Sequence, residues 1–147
     1  MTTTTSSKGP KVPYRCPPGP YERISQIAFL LKKRNPTAKL LAFDANPEIQ
    51  SKKALFEKAF KDHYAGLLEY RPNSELKEIS GNVAKLEFED VKADVLNVSP
   101  PQRAGDLARM AGLVNVNGRW VGVNWLTMES TAAPGIHVLG DATFSAP

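Results

Sequence analysis

Two stretches of this sequence carry residue types that could do chemistry. The first is Arg15-Cys16-Pro17-Pro18-Gly19-Pro20-Tyr21-Glu22. Cys16 is the single cysteine of the chain, so it cannot close an internal disulfide and is either a buried, inert side chain or a reactive thiol. It stands just ahead of a helix amino terminus and beside Arg15, and both neighbours favour the nucleophilic form of a thiol. Glu22 follows in the first turn of that helix. There it either complements the helix dipole as a surface carboxylate or takes a proton from an incoming thiol or hydrosulfide. The second stretch is Pro134-Gly135-Ile136-His137-Val138-Leu139-Gly140-Asp141-Ala142. Its apolar run Ile136–Leu139 reads as a buried strand that stops at Gly140-Asp141. Gly140 lets the backbone come close to a ligand. Asp141 places an acceptor at a strand end, able to take hydrogen bonds from sugar-like hydroxyls.

The elements that must position these residues follow from periodicity. The polar opening, Met1-Thr2-Thr3-Thr4-Thr5-Ser6-Ser7-Lys8, predicts a disordered tail over residues 1–12. Lys11–Arg15 reads as a short extended segment. Cys16-Pro17-Pro18-Gly19-Pro20 must be a stiff turn, because proline fixes φ and cannot donate. Residues 21–34 form a helix with Ile24, Ile27, Ala28, Leu30 and Leu31 at helical spacing, ended by Asn35-Pro36. Lys39–Phe43 is a buried strand ending in Asp44. Ser51–Tyr64 is a second helix, with Ala54, Leu55, Ala59 and Phe60 inward. Strands follow at 67–70, 83–88 and 92–98. Strand, turn, helix, strand at these lengths is a βαβ unit of a parallel sheet. Composition changes near Pro100. A short helix within 102–113, a small strand at 120–123 and a polar connector over 127–133 lead to the terminal strand. The expected class is α/β: a Rossmann-like nucleotide-binding-type domain over 13–98, then a second part over 99–147, which the family resemblance given below implies is the returning part of an FAD-binding domain.

Composition narrows the function. The chain has 147 residues, about one domain, with 41% hydrophobic and 23% charged residues. Its net charge of +4 is scattered among acids rather than gathered in the basic stripe of a nucleic-acid binder. No apolar run is long enough to span a membrane, and the opening lacks the apolar core of a signal peptide. Two histidines and one cysteine, far apart, make no metal pattern. His137 reads as a satisfied core histidine, His63 as a surface residue, and Trp120 and Trp125 as packing residues. Gln102 and Arg103 follow a strand end, where ligands approach open α/β sheets. A pyridine nucleotide would call for Gly-x-Gly-x-x-Gly in the Cys16 loop, with Asp44 as the ribose acid. Only Gly19 is present, and its flanking prolines remove the N–H groups that cradle a pyrophosphate.

The Gly140-Asp141 stretch resembles the carboxy-terminal FAD signature of two-dinucleotide-domain flavoproteins. The Cys16 string, continuing through Arg23-Ile24-Ser25-Gln26, resembles the flavoprotein subunit of flavocytochrome c sulfide dehydrogenase. The likeness reappears at Ala93-Asp94-Val95-Leu96-Asn97-Val98-Ser99-Pro100-Pro101-Gln102-Arg103-Ala104-Gly105, at Glu129-Ser130-Thr131, and from Pro134 to Ala142. It covers most of the chain from about Tyr14; the residues before it do not look like the family.

The resemblance implies a redox-active cysteine pair beside FAD. Sulfide attacks that disulfide, and electrons pass to FAD and then to a cytochrome c subunit outside the cytoplasm, in the periplasm. Cys16 matches the first cysteine of the pair, Glu22 the acid/base candidate, and Asp141 the FAD contact. The Gly-rich strand–turn–helix that binds the ADP part of FAD and the second redox cysteine have no match in this sequence. The chain therefore looks like a fragment. Alone, it is expected to bind FAD weakly or not at all and to expose the apolar face of its returning segment. The alternatives are a non-catalytic Rossmann-like docking module, for a cytochrome for example, and a related flavin disulfide reductase using quinone or NAD(P)H.

Overall fold

The computed structural model describes the backbone of residues 2–7 and residues 14–144 in full. It begins with strand β1, Thr2–Ser7. The expected tail over 1–12 is thus a strand wherever it is described; residues 8–13 lie outside the described set, and with them most of the extended segment expected at Lys11–Arg15. The reason is local. Four consecutive threonines restrict χ1 and favour extended backbone, although their polarity hides the apolar run by which a central parallel strand is usually recognised.

Helix α1, Gly19–Arg34, starts two residues ahead of expectation, with Pro20 in its first turn, where a missing N–H costs nothing. Glu22 at its start and Lys32, Lys33 and Arg34 at its end suit the helix dipole. Tyr21, Ile24 and Ala28 form its buried face, and Leu30 points outward. Strand β2, Lys39–Phe43, leads to helix α2, Lys53–Tyr64. There Phe56 and Phe60 are buried, whereas Ala54 and Leu55, expected inward, are exposed. The aromatic pair sets that face: Phe56 meets Tyr21 at 5.5 Å between ring centroids, and Phe60 meets Tyr70 at 6.1 Å. Strand β3, Leu68–Arg71, follows.

Strands β4 (Leu76–Ser80), β5 (Val83–Leu86) and β6 (Asp90–Lys92) make an antiparallel meander. Strand β7, Val95–Ser99, returns to the main sheet. The single strand expected at 92–98 is therefore two, parted where the Ala93 amide donates to the Asn82 carbonyl. The main sheet is parallel, in the order β3-β2-β1-β7. Leu40 and Ala42 of β2 face the helices, with Leu67 and Tyr70. Leu41 and Phe43 face the meander, with Leu76, Ala84 and Leu86. A central parallel strand covered on both faces carries a near-continuous apolar run, which is why Leu40-Leu41-Ala42-Phe43 is readable in the sequence.

The chain divides into two units, Met1–Pro101 and Gln102–Pro147. The second contains helix α3 (Asp106–Met110) and the antiparallel pair β8 (Val114–Val116) and β9 (Trp120–Val121). Its core is Ala104, Leu113, Trp120, Val121 and Val123. Ile136–Leu139 is not a strand but carries an isolated bridge, Glu129 to His137. A strand needs a neighbouring ladder for its amides, and among the described residues only the Val138 amide of this run, donating to the Met128 carbonyl, is held that way. Ile136 and His137 are consequently exposed, so His137 is not a core histidine. Trp120 is buried as expected, whereas Trp125 is 62% exposed.

Candidate functional site

The Cys16 turn is built from its own prolines. Pro17, Pro18 and Pro20 have no N–H, so few donors remain near the helix start, and those are used locally. The Gly19 amide donates to the Cys16 carbonyl at 3.0 Å, closing the turn. The amides of Tyr21 and Glu22 both donate to the Pro18 carbonyl, at 3.0 Å each. The first helical turn is thereby satisfied without a ligand, and a pyrophosphate would find no ready amide among these residues.

Cys16 is exposed and Glu22 is exposed in the first turn of α1. Gly19 flanks the sulfur closely: a Cβ there would stand 3.6 Å from Cys16 Cβ and 3.8 Å from Sγ. Two further bonds tie the turn and helix start to β7. The Tyr14 hydroxyl donates to the Ser99 carbonyl at 3.2 Å, and Arg23 Nε donates to Asn97 Oδ1 at 2.8 Å. Cys16 thus stands at the carboxyl end of the parallel sheet. It lies in the connection that leaves β1, between β2 on one side and β7 on the other, where the strand order reverses. Open α/β sheets bind ligands at that position. An open groove of about 500 Å³ lined by Lys39, Leu41 and 66–69 lies at the opposite, amino end of β2 and β3, away from this chemistry.

Asp44 closes β2, where a dinucleotide-binding sheet would keep a ribose acid. It is 5% exposed, and its oxygens are engaged from within. Oδ2 accepts from the Tyr21 hydroxyl at 2.9 Å and the Tyr70 hydroxyl at 2.8 Å. Oδ1 accepts from the Asn46 amide and from Asn46 Nδ2, both at 2.9 Å. The Gln50 amide donates to the Tyr21 oxygen at 3.0 Å. Burial pushes both phenols well above the ordinary tyrosine range. Asp44 adds to the rise at each, and the Gln50 amide opposes it at Tyr21. Tyr21 and Tyr70 were not singled out by function from the sequence; an aromatic at helix spacing reads as core, and only the fold shows that their hydroxyls share one carboxylate.

Gly140 and Asp141 lie in the second unit, in a three-residue 3-10 turn, Gly140–Ala142. Gly140 has φ +72°, a conformation that side chains resist. The fully buried Thr143 donates to the Gly140 carbonyl twice, from its amide at 3.0 Å and its hydroxyl at 2.8 Å. The Phe144 amide donates to the Val121 carbonyl at 2.9 Å, which ties the turn to β9. Thr143 is the other residue that sequence reasoning passed over; a threonine three positions after a turn glycine is its signal. The surface over Gly140 is open, and Asp141 is exposed. An exposed carboxylate beside an uncluttered backbone has the chemistry to meet the hydroxyls of a flavin's ribityl chain. Each unit carries its own candidate residues: Cys16 and Glu22 in the first, Gly140 and Asp141 in the second.

Among the described residues, no group of three or more His, Cys, Asp or Glu side chains could hold a metal ion. No described helix is long and apolar enough to cross a membrane.

Comparison with known proteins agrees with this architecture. The fold is similar to that of the sulfide:quinone oxidoreductase of the hyperthermophilic bacterium Aquifex aeolicus, at TM-score 0.65 and 16% identity, covering 88% of this chain and 33% of that one. It is similar to Bacillus anthracis CoADR-RHD in reduced form, at TM-score 0.62 and 18% identity, covering 96% and 24%. It is also similar to Lactococcus lactis thioredoxin reductase, at TM-score 0.61 and 13% identity, covering 98% and 45%. The chain therefore spans a quarter to less than half the length of these proteins. Residues 3–100 match the family model described as sulfide dehydrogenase (flavocytochrome c) flavoprotein chain, central. The match begins at residue 3, so the threonine-rich opening, expected to lie outside the family pattern, is part of it. The chain belongs to the flavoprotein-chain family of flavocytochrome c sulfide dehydrogenase, a family of flavin oxidoreductases.

Proposed function

We propose that this chain is the central part of an FAD-dependent enzyme that oxidises sulfide through Cys16 and delivers the electrons to a cytochrome c. The observation that carries this reading is the placement of an exposed thiol, inside the family-matched region, at the carboxyl end of the parallel sheet.

Cys16 would work as half of a disulfide whose other cysteine lies outside this sequence. Hydrosulfide attacks one sulfur of that disulfide. A new sulfur–sulfur bond forms, the old one breaks, and the other cysteine leaves as a thiolate. Glu22 takes the proton released as the sulfur is transferred. FAD, when bound, supplies the two-electron acceptor for this chemistry. Asp141 would accept from the hydroxyls of its ribityl chain, and Gly140 would let the backbone come close beside them.

The NAD(P)H alternative is disfavoured by the used amides around Pro18 and by the closed shell of donors on Asp44. The test is a longer chain that adds a Gly-rich ADP-binding strand–turn–helix and a second redox cysteine. It is expected to take up FAD and reduce cytochrome c with sulfide. Glu22→Gln is expected to slow sulfide-dependent reduction by about a hundredfold or more, the range for a positioned acid/base. Unchanged turnover in Cys16→Ser would overturn the reading.

A further inference from the structure

We infer that Tyr21 is a positioning residue for Cys16: its hydroxyl, clamped between the Asp44 carboxylate and the Gln50 amide, fixes the first turn of α1 and, through Pro18 and Gly19, the turn that carries the sulfur. The inference rests on the reading of Cys16 as the reacting thiol.

The chain of contacts is continuous. The Tyr21 hydroxyl is tied on the acceptor side and the donor side at once, at 3.0 and 2.9 Å. The Tyr21 backbone amide holds the Pro18 carbonyl at 3.0 Å. Pro18 is the residue on which α1 starts, and no side chain caps the helix there. The Gly19 amide holds the Cys16 carbonyl, and a Cβ at Gly19 would come into contact with Cys16 Cβ and Sγ. A turn of three prolines and a glycine has stiff segments but one loose joint at Gly19. What stops that joint from swinging is the anchoring of the residue two places on. Tyr21 is 2% exposed, with its ring against Phe56 and edge-on to Tyr70, so its ring cannot follow a displaced turn. The ribose acid of a dinucleotide sheet is here turned inward to hold the start of α1.

Tyr70 supplies the comparison. It donates to the same Asp44 oxygen but belongs to β3, and among the described residues its hydroxyl makes no hydrogen bond to α1 or the Cys16 turn. Tyr21→Phe and Tyr70→Phe each remove one hydroxyl from the same carboxylate, so both lose stability. Only Tyr21→Phe uncouples the helix start from Asp44 and Gln50.

The experiment measures the second-order rate of Cys16 alkylation by iodoacetamide in the 147-residue chain under native conditions, alongside its thermal unfolding. Tyr21→Phe is expected to slow alkylation about two- to fivefold, as the sulfur loses its fixed place beside the positive end of α1. Tyr70→Phe is expected to leave the rate unchanged while lowering the unfolding temperature by a similar amount. Asp44→Asn, which keeps the shape of the cluster, is expected to slow alkylation in the same direction as Tyr21→Phe. Equal rates in wild type and Tyr21→Phe, or rates that follow stability in both tyrosine variants alike, would overturn the inference. Iodoacetamide reports the sulfur's setting without sulfide, so a failure of the sulfide chemistry would leave this result readable.

Discussion

At the scale of single residues, the carboxylate of Asp44 governs the first unit. It is buried and accepts from Asn46 and from two phenols that burial keeps protonated. A hydrogen bond to a charged group contributes about 1.5–3 kcal/mol, so removing the Tyr21 hydroxyl should cost about that much. The same phenols give the fold an alkaline limit. Their folded-state pKa values lie above the unfolded value of 10.0, so their contribution is complete below pH 10 and fades as pH rises beyond it. Equilibrium unfolding is expected to show a stability loss above pH 10 that is smaller in Tyr21→Phe and in Tyr70→Phe than in wild type. An identical alkaline slope in all three would show that the phenols ionise as freely folded as unfolded.

At the scale of elements, two turns hold the candidate residues, and each depends on one local device. The turn at Gly140 needs a positive φ, so Gly140→Ala should cost about 1–2 kcal/mol although nothing crowds the new methyl. Gly140→Asn should cost less, since asparagine tolerates that conformation better. Denaturant midpoints for the two variants check the order; equal losses would point away from backbone strain. The elements also mark what the sequence could express. Helix α1 and strand β2 are readable, because Ile24-Ile27-Ala28 and Leu40-Leu41-Ala42-Phe43 carry their period in their own residues, whereas the buried face of α2 is set by Phe56 and Phe60 rather than by Ala54 and Leu55. The first strand is not readable, because threonine and serine write no apolar run. The terminal strand was read from Ile136–Leu139 and is absent, because apolar side chains alone do not supply a ladder. Cys16 could be placed on its turn from sequence; the Asp44 cluster behind it could not, since it joins residues on α1, just past β2 and on β3 that only the parallel sheet brings together.

At the scale of the whole molecule, the second unit leaves much apolar surface exposed for its 46 residues. Leu126 is 95% exposed, Met110 84%, Leu107 80% and Leu139 71%. Exposed apolar area on this scale promotes association. The purified chain is expected to bind an apolar dye and to elute with a concentration-dependent size, and Leu126→Lys with Leu139→Lys should reduce both. A clean monomer without dye binding would contradict this. Flavin binding belongs to the same scale. The sequence has an FAD-compatible turn at Gly140-Asp141 but no Gly-x-Gly-x-x-Gly for the pyrophosphate. The chain alone should therefore carry flavin well below one per molecule by absorbance; stoichiometric yellow protein would refute that.

The most direct test of the account needs only this chain and its one cysteine. Cys16 is first oxidised to a mixed disulfide with a small thiol, sulfide is added, and the intact protein is weighed by mass spectrometry over time. The account expects Cys16 to gain the mass of one sulfur atom as the small thiol leaves, faster than in an unfolded peptide spanning residues 14–23. No sulfur on Cys16, or a rate no greater than the peptide's, would contradict the claim that this fold sets the thiol up to receive sulfide.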